Sequence, residues 1–238
     1  DYMLREEVRE HLGGIPDIER IATRIVRLSA SPGDLLALRG ALEALGPLRR
    51  ALAPAAQRSE LLRRALSAME EPPGVRELIA EAISEEEGEI IRPGYSAELD
   101  EARSFRDGAH EWLTRFEAEE RLKTGLKTLK VGYRDGEGYF IEVGGKEAHR
   151  VPPHYEHRKA LKHNARYVTV ELKEHESRML TAREEVERLE RRILGEIRAA
   201  VKEAAPQLQR IARAVAVVDV VASFAAAAAE LRYCRPRV

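Results

Sequence analysis

Basic side chains and histidines are concentrated between residues 144 and 170. This segment contains two acidic residues, Glu147 and Glu156, and six basic residues: Lys146, Arg150, Arg158, Lys159, Lys162 and Arg166. Hydrogen-bonding side chains are mixed with them: Tyr155, Asn164, Tyr167 and Thr169. Such a mixture suits contacts with nucleic-acid phosphates. A local net charge of +4 also fits an ordinary solvated surface, so charge alone leaves both interpretations open.

The same segment raises the question of a metal site, because it holds four of the seven histidines: His149, His154, His157 and His163. Zinc sites normally need three or four firm ligands, and neither cysteines nor a helical His-x-x-x-His pair provides them here. Pro152-Pro153 further predicts a loop rather than a preformed set of ligands. We therefore predict no metal site, and a metal-dependent hydrolase is kept as a third hypothesis.

Other catalytic patterns are missing from the sequence. It has no Gly-x-x-x-x-Gly-Lys-Ser/Thr phosphate loop and no Gly-x-Ser-x-Gly nucleophile motif. Gly136-x-Gly138 fits a hairpin loop better than a dinucleotide fingerprint. Cys234, the single cysteine, excludes a disulfide framework and is interpreted as structural despite the nearby Arg232 and Arg235.

Composition places these residues in a highly charged chain with room for a real core. Of its 238 residues 34% are charged, against roughly 25% in average domains. This length predicts one large domain or two smaller ones. The net charge of −1 does not by itself indicate a nucleic-acid partner. No uncharged stretch of 18 apolar residues and no N-terminal apolar segment is present, so we predict neither a membrane helix nor a signal peptide.

Helical patterns dominate the first half of the chain. Ser31-Pro32-Gly33-Asp34 is typical of a helix start, and leucines at helical spacing follow it. Gly46-Pro47 and Ala53-Pro54 are expected to interrupt that helix. A further helix is predicted from about residue 96 to residue 123.

A short β-rich segment follows and then gives way to helices. Residues 129–133 and 139–143 alternate around a loop with two glycines, which predicts a β-hairpin, and 166–170 is a further strand candidate. From 171 to about 203 a long helix is predicted, because apolar residues recur every seven positions: Leu172, Met179, Val186 and Ile193. After Pro206, residues 208–229 are almost uncharged and predict a centrally buried helix.

Several of these runs resemble the MutS family of DNA mismatch repair proteins. The resemblance lies in residues 123–133 (KTGLKTLKVGY), 138–143 (GYFIEV), 159–167 (KALKHNARY) and 171–174 (ELKE). It extends upstream to 15–20 (IPDIER), 30–35 (ASPGDL) and 92–95 (RPGY), and downstream to 218–222 (VDVVA). These runs follow the family's order over essentially the whole chain.

The resemblance implies a mainly α fold, in which a helical core with long lever helices carries a small inserted β-rich clamp domain. The implied divisions are a first core and lever part at 1–126, the clamp at 127–187 with its β unit at about 127–170, and a descending lever with a central core helix at 188–238. The family's mismatch-reading and ATPase domains have no counterpart here. The chain is therefore expected to be a non-catalytic fragment without a cofactor, ATP and Mg²⁺ belonging to the parent's ATPase.

The resemblance also implies double-stranded DNA as the partner, held through phosphate contacts without sequence specificity. The expected contacts are Lys159, Lys162, Asn164, Arg166, Arg134 and Lys130. A homodimer is expected for the parent, in the bacterial cytoplasm near the nucleoid and with no membrane partner. The hairpin tip at 134–138 departs from the family pattern, which motivates an alternative: a structural or protein-interaction module whose clamp does not bind DNA.

Overall fold

Two compact units make up the protein. The computed structural model describes residues 2–134 and 136–233, apart from the side chains of residues 109 and 110; Cys234 lies outside the described residues. The first unit combines the chain up to Tyr95 with the chain from Arg191 onward, and the second is Ser96–Glu190. The domain limits implied by the family resemblance stay a prediction.

The first unit is mainly helical, with one isolated antiparallel bridge between Ile83 and Ile91. Its helices are α1 (Tyr2–Gly13), α2 (Ile18–Val26), α3 (Pro32–Ala56), α4 (Glu60–Ala68), α5 (Val75–Ala82), the later part of α8 (Val170–Glu203) and α9 (Ala205–Glu230). The second unit contains α6 (Ala97–Asp107), α7 (Ala109–Thr124), β1 (Lys130–Arg134), β2 (Gly138–Gly144), β3 (Glu156–Ala160), β4 (Asn164–Val168) and the earlier part of α8. This mainly α fold with a small inserted sheet confirms the predicted fold class.

Helix α3 begins as predicted and ends later than predicted. Ser31 and Asp34 form a reciprocal capping box with Pro32 at the first helical position. The expected interruptions are wrong, since the helix continues through Pro47 and Pro54. Each internal proline removes a backbone hydrogen bond and costs about 3 kcal/mol. Buried leucines on both sides of Pro47, among them Leu45 and Leu48, offset this cost by packing in the core.

Helix α9 is buried along one face only, which corrects the prediction of a centrally buried helix. The buried stripe packs against α1, α2 and α4, whereas Val220 and Phe224 are 50% and 71% exposed. An apolar composition allows a helix to be buried on all sides, but it does not determine how many neighbouring helices cover those sides. By length and composition α9 could also cross a membrane, but core helices of soluble proteins share these properties, so the prediction of no membrane helix stays a prediction.

The four strands form one antiparallel sheet in the order β1-β2-β4-β3. The predicted hairpin is confirmed by the β1–β2 pairing. Strand β3 lies in a segment predicted to be a loop, and sequence patterning missed it because all five of its side chains are exposed. A charged edge strand needs no apolar alternation, since its backbone bonds to the neighbouring strand hold it in place.

Two boundaries in the second unit differ from the prediction. The last strand ends at Val168, and the hydroxyl of Thr169 accepts a hydrogen bond from the Leu172 N–H at 3.2 Å, which caps α8. The single helix predicted for residues 96–123 is divided at Gly108 into α6 and α7. Glycine has a low helix propensity, and this break fits that property.

The inner face of the sheet packs against α7 and the start of α8. Its core contains Phe116, Leu126, Leu129, Ile141, Val143, Tyr155, Ala165, Tyr167, Val168 and Leu172. The apolar stripe predicted along α8 is confirmed, since Met179, Val186 and Ile193 are at most 5% exposed. With its inner face closed by this core, the sheet has only its outer face available for a ligand.

Candidate nucleic-acid interface

One row of charged side chains crosses the outer face of the sheet. The strand register pairs Lys130 with Glu142, Glu142 with Arg166, and Arg166 with Lys159. Directly paired residues of neighbouring strands project from the same face. Across the four strands the row therefore contains three cations and one carboxylate, with Glu142 between Lys130 and Arg166 and with Lys159 beside Arg166. We call the surface that carries these four residues the outer face.

Arg166 lies at the centre of the outer face and is 9% exposed. Its Nε donates to Glu142 Oε2 at 3.0 Å, and its Nη1 donates to Glu137 Oε2 at 2.5 Å. The guanidinium also lies over the Phe140 ring, 4.0 Å from its centroid. Hydrogen bonds to Glu142 and Glu137 raise the pKa of Arg166, so it stays charged throughout the ordinary pH range.

The Phe140 ring in turn explains a glycine in the facing strand. A Cβ on Gly132 would lie 2.9 Å from Cζ of Phe140, closer than side-chain carbons approach one another. Any larger residue at 132 would displace the ring and the guanidinium above it. Gly132 therefore allows β1 to close over the aromatic support of Arg166.

Four of the six predicted phosphate contacts are exposed cations: Lys130, Arg134, Lys159 and Lys162. Lys162 lies in the tight β3–β4 turn, where the Leu161 N–H donates to the Asn164 carbonyl at 2.8 Å. Arg134 ends β1. These side chains can reach a ligand without leaving a buried position, as phosphate contacts require.

The remaining two predicted contacts are already engaged by carboxylates, and so is the exposed Lys159, whose Nζ donates to Glu137 Oε1 at 2.8 Å. Asn164 donates to Glu142 Oε1 at 2.7 Å, and Arg166 is held by Glu142 and Glu137. Sequence reasoning missed both acids because it counted charge only from residue 144 onward. The β2 alternation, which places Glu142 and Phe140 on one face, was the available signal. The phosphate-contact role of all six residues stays a prediction.

Two histidines of the basic segment contact tyrosine rings. His157 lies on β3 with its ring 5.5 Å from that of Tyr167, and His154 lies 5.1 Å from the ring of Tyr155. Over residues 2–134 and 136–233, no group of three His, Cys, Asp or Glu side chains could hold a metal ion.

A buried carboxylate anchors the sheet to α7. Glu120, 5% exposed, accepts a hydrogen bond from the Tyr155 hydroxyl at 2.5 Å and another from Lys123 Nζ at 3.1 Å. Burial, together with the adjacent Glu120 carboxylate, raises the pKa of Tyr155 far above its usual range. The hydroxyl therefore remains a donor. Nothing in the sequence distinguishes Glu120 from the neighbouring Glu119.

We expect Tyr155→Phe to lower the free energy of unfolding of the second unit by about 1.5–3 kcal/mol, the range for hydrogen bonds to charged groups. The loss arises because Glu120 stays buried with fewer donors. Urea unfolding followed by the fluorescence of Trp112, the chain's single tryptophan, measures it. Tyr167→Phe is the matched control, since no described residue bonds to that hydroxyl, and an equal loss there would contradict the assignment.

His175 fills the space between α8 and α7. Its ring stacks on Trp112 with centroids 3.7 Å apart, it is 5% exposed, and Nε2 has no hydrogen-bond partner among the described residues. Burial, with a smaller contribution from the Arg178 guanidinium, lowers the pKa of His175 from its ordinary value near 6.5. The folded protein therefore favours the neutral imidazole.

This shift predicts a pH dependence of stability. Because the folded state binds the His175 proton less tightly than the unfolded state, the stabilisation is complete above pH ~6.5 and is lost as the pH falls toward the folded pKa. Urea unfolding between pH 8 and pH 5 should show this decline. His175→Phe should make the profile flatter in that window, and an unchanged slope would contradict the role of His175.

Comparisons with known proteins agree with this architecture. Residues 94–185 match MutS family domain IV. The chain is 38% identical to the DNA mismatch repair protein MutS of Natronomonas pharaonis, over 98% of this chain and 28% of that protein. It is 40% identical to MutS of Symbiobacterium thermophilum, over 99% of this chain and 27% of that protein. For MutS of Chlorobaculum parvum the identity is 39%, over 98% and 27% respectively.

The chain thus spans little more than a quarter of the length of these curated relatives. The match to domain IV contains the whole four-stranded sheet and the beginning of α8. Over nearly its entire length, this chain is similar to a segment of the DNA mismatch repair protein MutS, and its residues 94–185 match MutS family domain IV.

Proposed function

We propose that the sheet of the second unit contacts the backbone of duplex DNA as the clamp of a MutS-like mismatch repair protein. The observation that carries the proposal is the outer face, with the exposed cations Lys130 and Lys159 in its row and Arg134 and Lys162 nearby in the chain. Exposed lysines and arginines on a strand surface offer donors to phosphates. Homology to MutS supports DNA as the source of those phosphates.

Such contacts give affinity without sequence specificity. Phosphate oxygens carry no base information, and their binding releases condensed counterions, so affinity falls steeply with salt. The overall net charge of −1 does not oppose this, because the balance of the whole chain hides a local excess of cations. We expect weak binding by the isolated chain, since a second clamp in a dimer would add avidity.

The helices are proposed to relay DNA binding to the ATPase of the parent protein. Helix α8 contributes residues to both units as one helix of 34 residues, or about 50 Å at ~1.5 Å per residue. A continuous helix is a physically reasonable carrier of such coupling. We further propose that the chain itself is not an enzyme and holds no cofactor, that the parent is a homodimer, and that it acts in the cytoplasm.

A second candidate is a structural or protein-interaction module whose sheet does not bind DNA. It is favoured by one observation, the engagement of Arg166 and Asn164 by Glu137 and Glu142. If these carboxylates neutralised the outer face completely, no phosphate would gain from binding there. The two candidates therefore differ in a measurable property, the affinity for duplex DNA at low salt.

Fluorescence anisotropy of a labelled duplex over a salt series separates them. The proposal expects binding at about 50 mM salt that weakens linearly on a logarithmic salt axis and is the same for duplexes of different sequence. Absence of binding at about 50 mM salt and high protein concentration would favour the structural module. Circular dichroism of the same sample verifies that the chain is folded.

A further inference from the structure

We propose that Glu137 closes a phosphate subsite on the outer face and that a phosphate of the DNA backbone displaces it on binding. The subsite is the groove between the β1–β2 turn and strands β3 and β4, lined by Gly136, Glu137, Phe140, Arg158, Lys159 and Arg166. This inference rests on the proposed function and adds to it a specific contact site and a built-in competitor.

The Glu137 carboxylate occupies the groove in the way that a bound phosphate would. Its Oε1 accepts from Lys159 Nζ at 2.8 Å, and its Oε2 accepts from Arg166 Nη1 at 2.5 Å. Arg158 donates to its backbone carbonyl. An ammonium and a guanidinium converging on two oxygens of one acid are the same donors that bind a phosphate. The carboxylate therefore shows the position and donor set that a phosphate would take.

The subsite would keep its geometry after Glu137 leaves. The other edge of the Arg166 guanidinium is fixed by Glu142, which lies within β2 and is itself bonded to Asn164. The Phe140 ring supports the guanidinium plane from below. Arg166 is thus oriented by groups other than Glu137, and only its Nη1 direction becomes free for a ligand.

Glu137 itself is placed where it can move. It lies in the turn between β1 and β2, flanked by Gly136 and Gly138 with φ of +79° and +73°. Its side chain is 30% exposed, so the carboxylate can rotate into water. Hydrogen bonds to Lys159 and Arg166 lower the pKa of Glu137, which keeps it charged and bound when no DNA is present.

Replacement of the Glu137 carboxylate by a DNA phosphate is favourable because the two groups bind with different driving forces. Of the two ion pairs of Glu137, the one with Lys159 is largely exposed and contributes little, since water and salt screen it. A duplex phosphate brings the release of condensed counterions, which drives binding at low salt. Glu137 therefore lowers DNA affinity without preventing binding, and it sets the salt range over which the outer face binds DNA.

Glu137→Gln tests the inference by removing the competing charge. We expect about three- to tenfold tighter duplex binding than wild type, because the phosphate no longer has to displace a carboxylate held by weak ion pairs. The slope of affinity against salt should stay close to that of wild type, because the same phosphates are contacted in both complexes. Anisotropy of a labelled duplex measures both quantities.

The matched control is Glu184→Gln, which changes the net charge equally at an exposed position of α8. We expect less than about a twofold change from that variant. A double-substitution test adds a readout independent of folding stability: Lys159→Gln should cost more affinity in the Glu137→Gln background than in wild type. In wild type the lysine is partly occupied by Glu137.

The outcomes separate the two levels of the proposal. If wild type binds DNA and Glu137→Gln binds no better than the Glu184→Gln control, the competitor role is wrong and the clamp function stands. If Lys159→Gln costs the same in both backgrounds, the shared subsite is wrong. If neither wild type nor Glu137→Gln binds at about 50 mM salt, the DNA-binding function itself is wrong.

Discussion

Replacing Glu190 with alanine is expected to destabilise the second unit by about 3–5 kcal/mol, the cost of removing one member of a buried ion pair. Glu190 Oε1 accepts from Arg103 Nη2 at 2.7 Å, and Arg103 is 5% exposed. The pair joins α6 to α8 between side chains that are 87 residues apart in sequence. Asp100 lies 4.0 Å from Arg103 Nη1, too far to replace the 2.7 Å hydrogen bond that the Glu190 carboxylate supplies to the buried guanidinium.

Urea unfolding followed by Trp112 fluorescence measures this loss, because the tryptophan lies in the same unit. A double variant, Arg103→Met with Glu190→Leu, is the informative control. Replacing both charges with apolar groups of similar volume removes the desolvation cost and should recover most of the stability. A loss below about 1 kcal/mol for Glu190→Ala would show that the pair behaves like an exposed ion pair instead.

Reversing the charge of two exposed lysines, Lys130→Glu with Lys162→Glu, is expected to weaken duplex binding by roughly tenfold or more at about 50 mM salt. Both lysines are exposed. Lys130 lies in β1, and Lys162 lies in the turn between β3 and β4 of the same sheet. Each lost phosphate contact should also reduce the slope of affinity against salt by about 1. Anisotropy over a salt series with two unrelated duplex sequences measures both effects.

The matched control for this pair is Lys202→Glu with Arg210→Glu, which makes the same change in net charge at exposed positions of α8 and α9 in the first unit. Its effect should be small, since a distant surface charge contributes only through the screened field of the protein. Equal losses for the control and the double variant would indicate that net charge alone governs binding. An unchanged slope in the double variant would show that neither lysine meets a phosphate.

Local chemistry in the sequence determined most of the helices and the hairpin. The Ser31–Asp34 capping box, the seven-residue apolar spacing of α8 and the glycines of the β1–β2 turn each act over fewer than ten residues. Capping, periodicity and turn preference are properties of neighbouring residues, so they can be recognised without the fold. For the same reason the basic segment was visible as a concentration of charge.

Packing between distant segments decided the rest of the fold. Helix α3 continues through Pro47 and Pro54 because burial of its leucines outweighs the lost hydrogen bonds. Strand β3 forms because β4 supplies its backbone partners, and α9 exposes Phe224 because its neighbours cover only one face. None of these outcomes follows from residues near in sequence.

The features of the candidate site likewise fall into those that the sequence determined and those that only the tertiary structure determined. The sequence by itself determined which cations are available and, through family resemblance, which ligand to expect. Only the tertiary structure decided that Arg166 is buried against Phe140, and that Glu137 and Glu142 share the outer face with the predicted contacts. Strand register brings together side chains more than 20 residues apart, and a one-residue change in pairing would separate them.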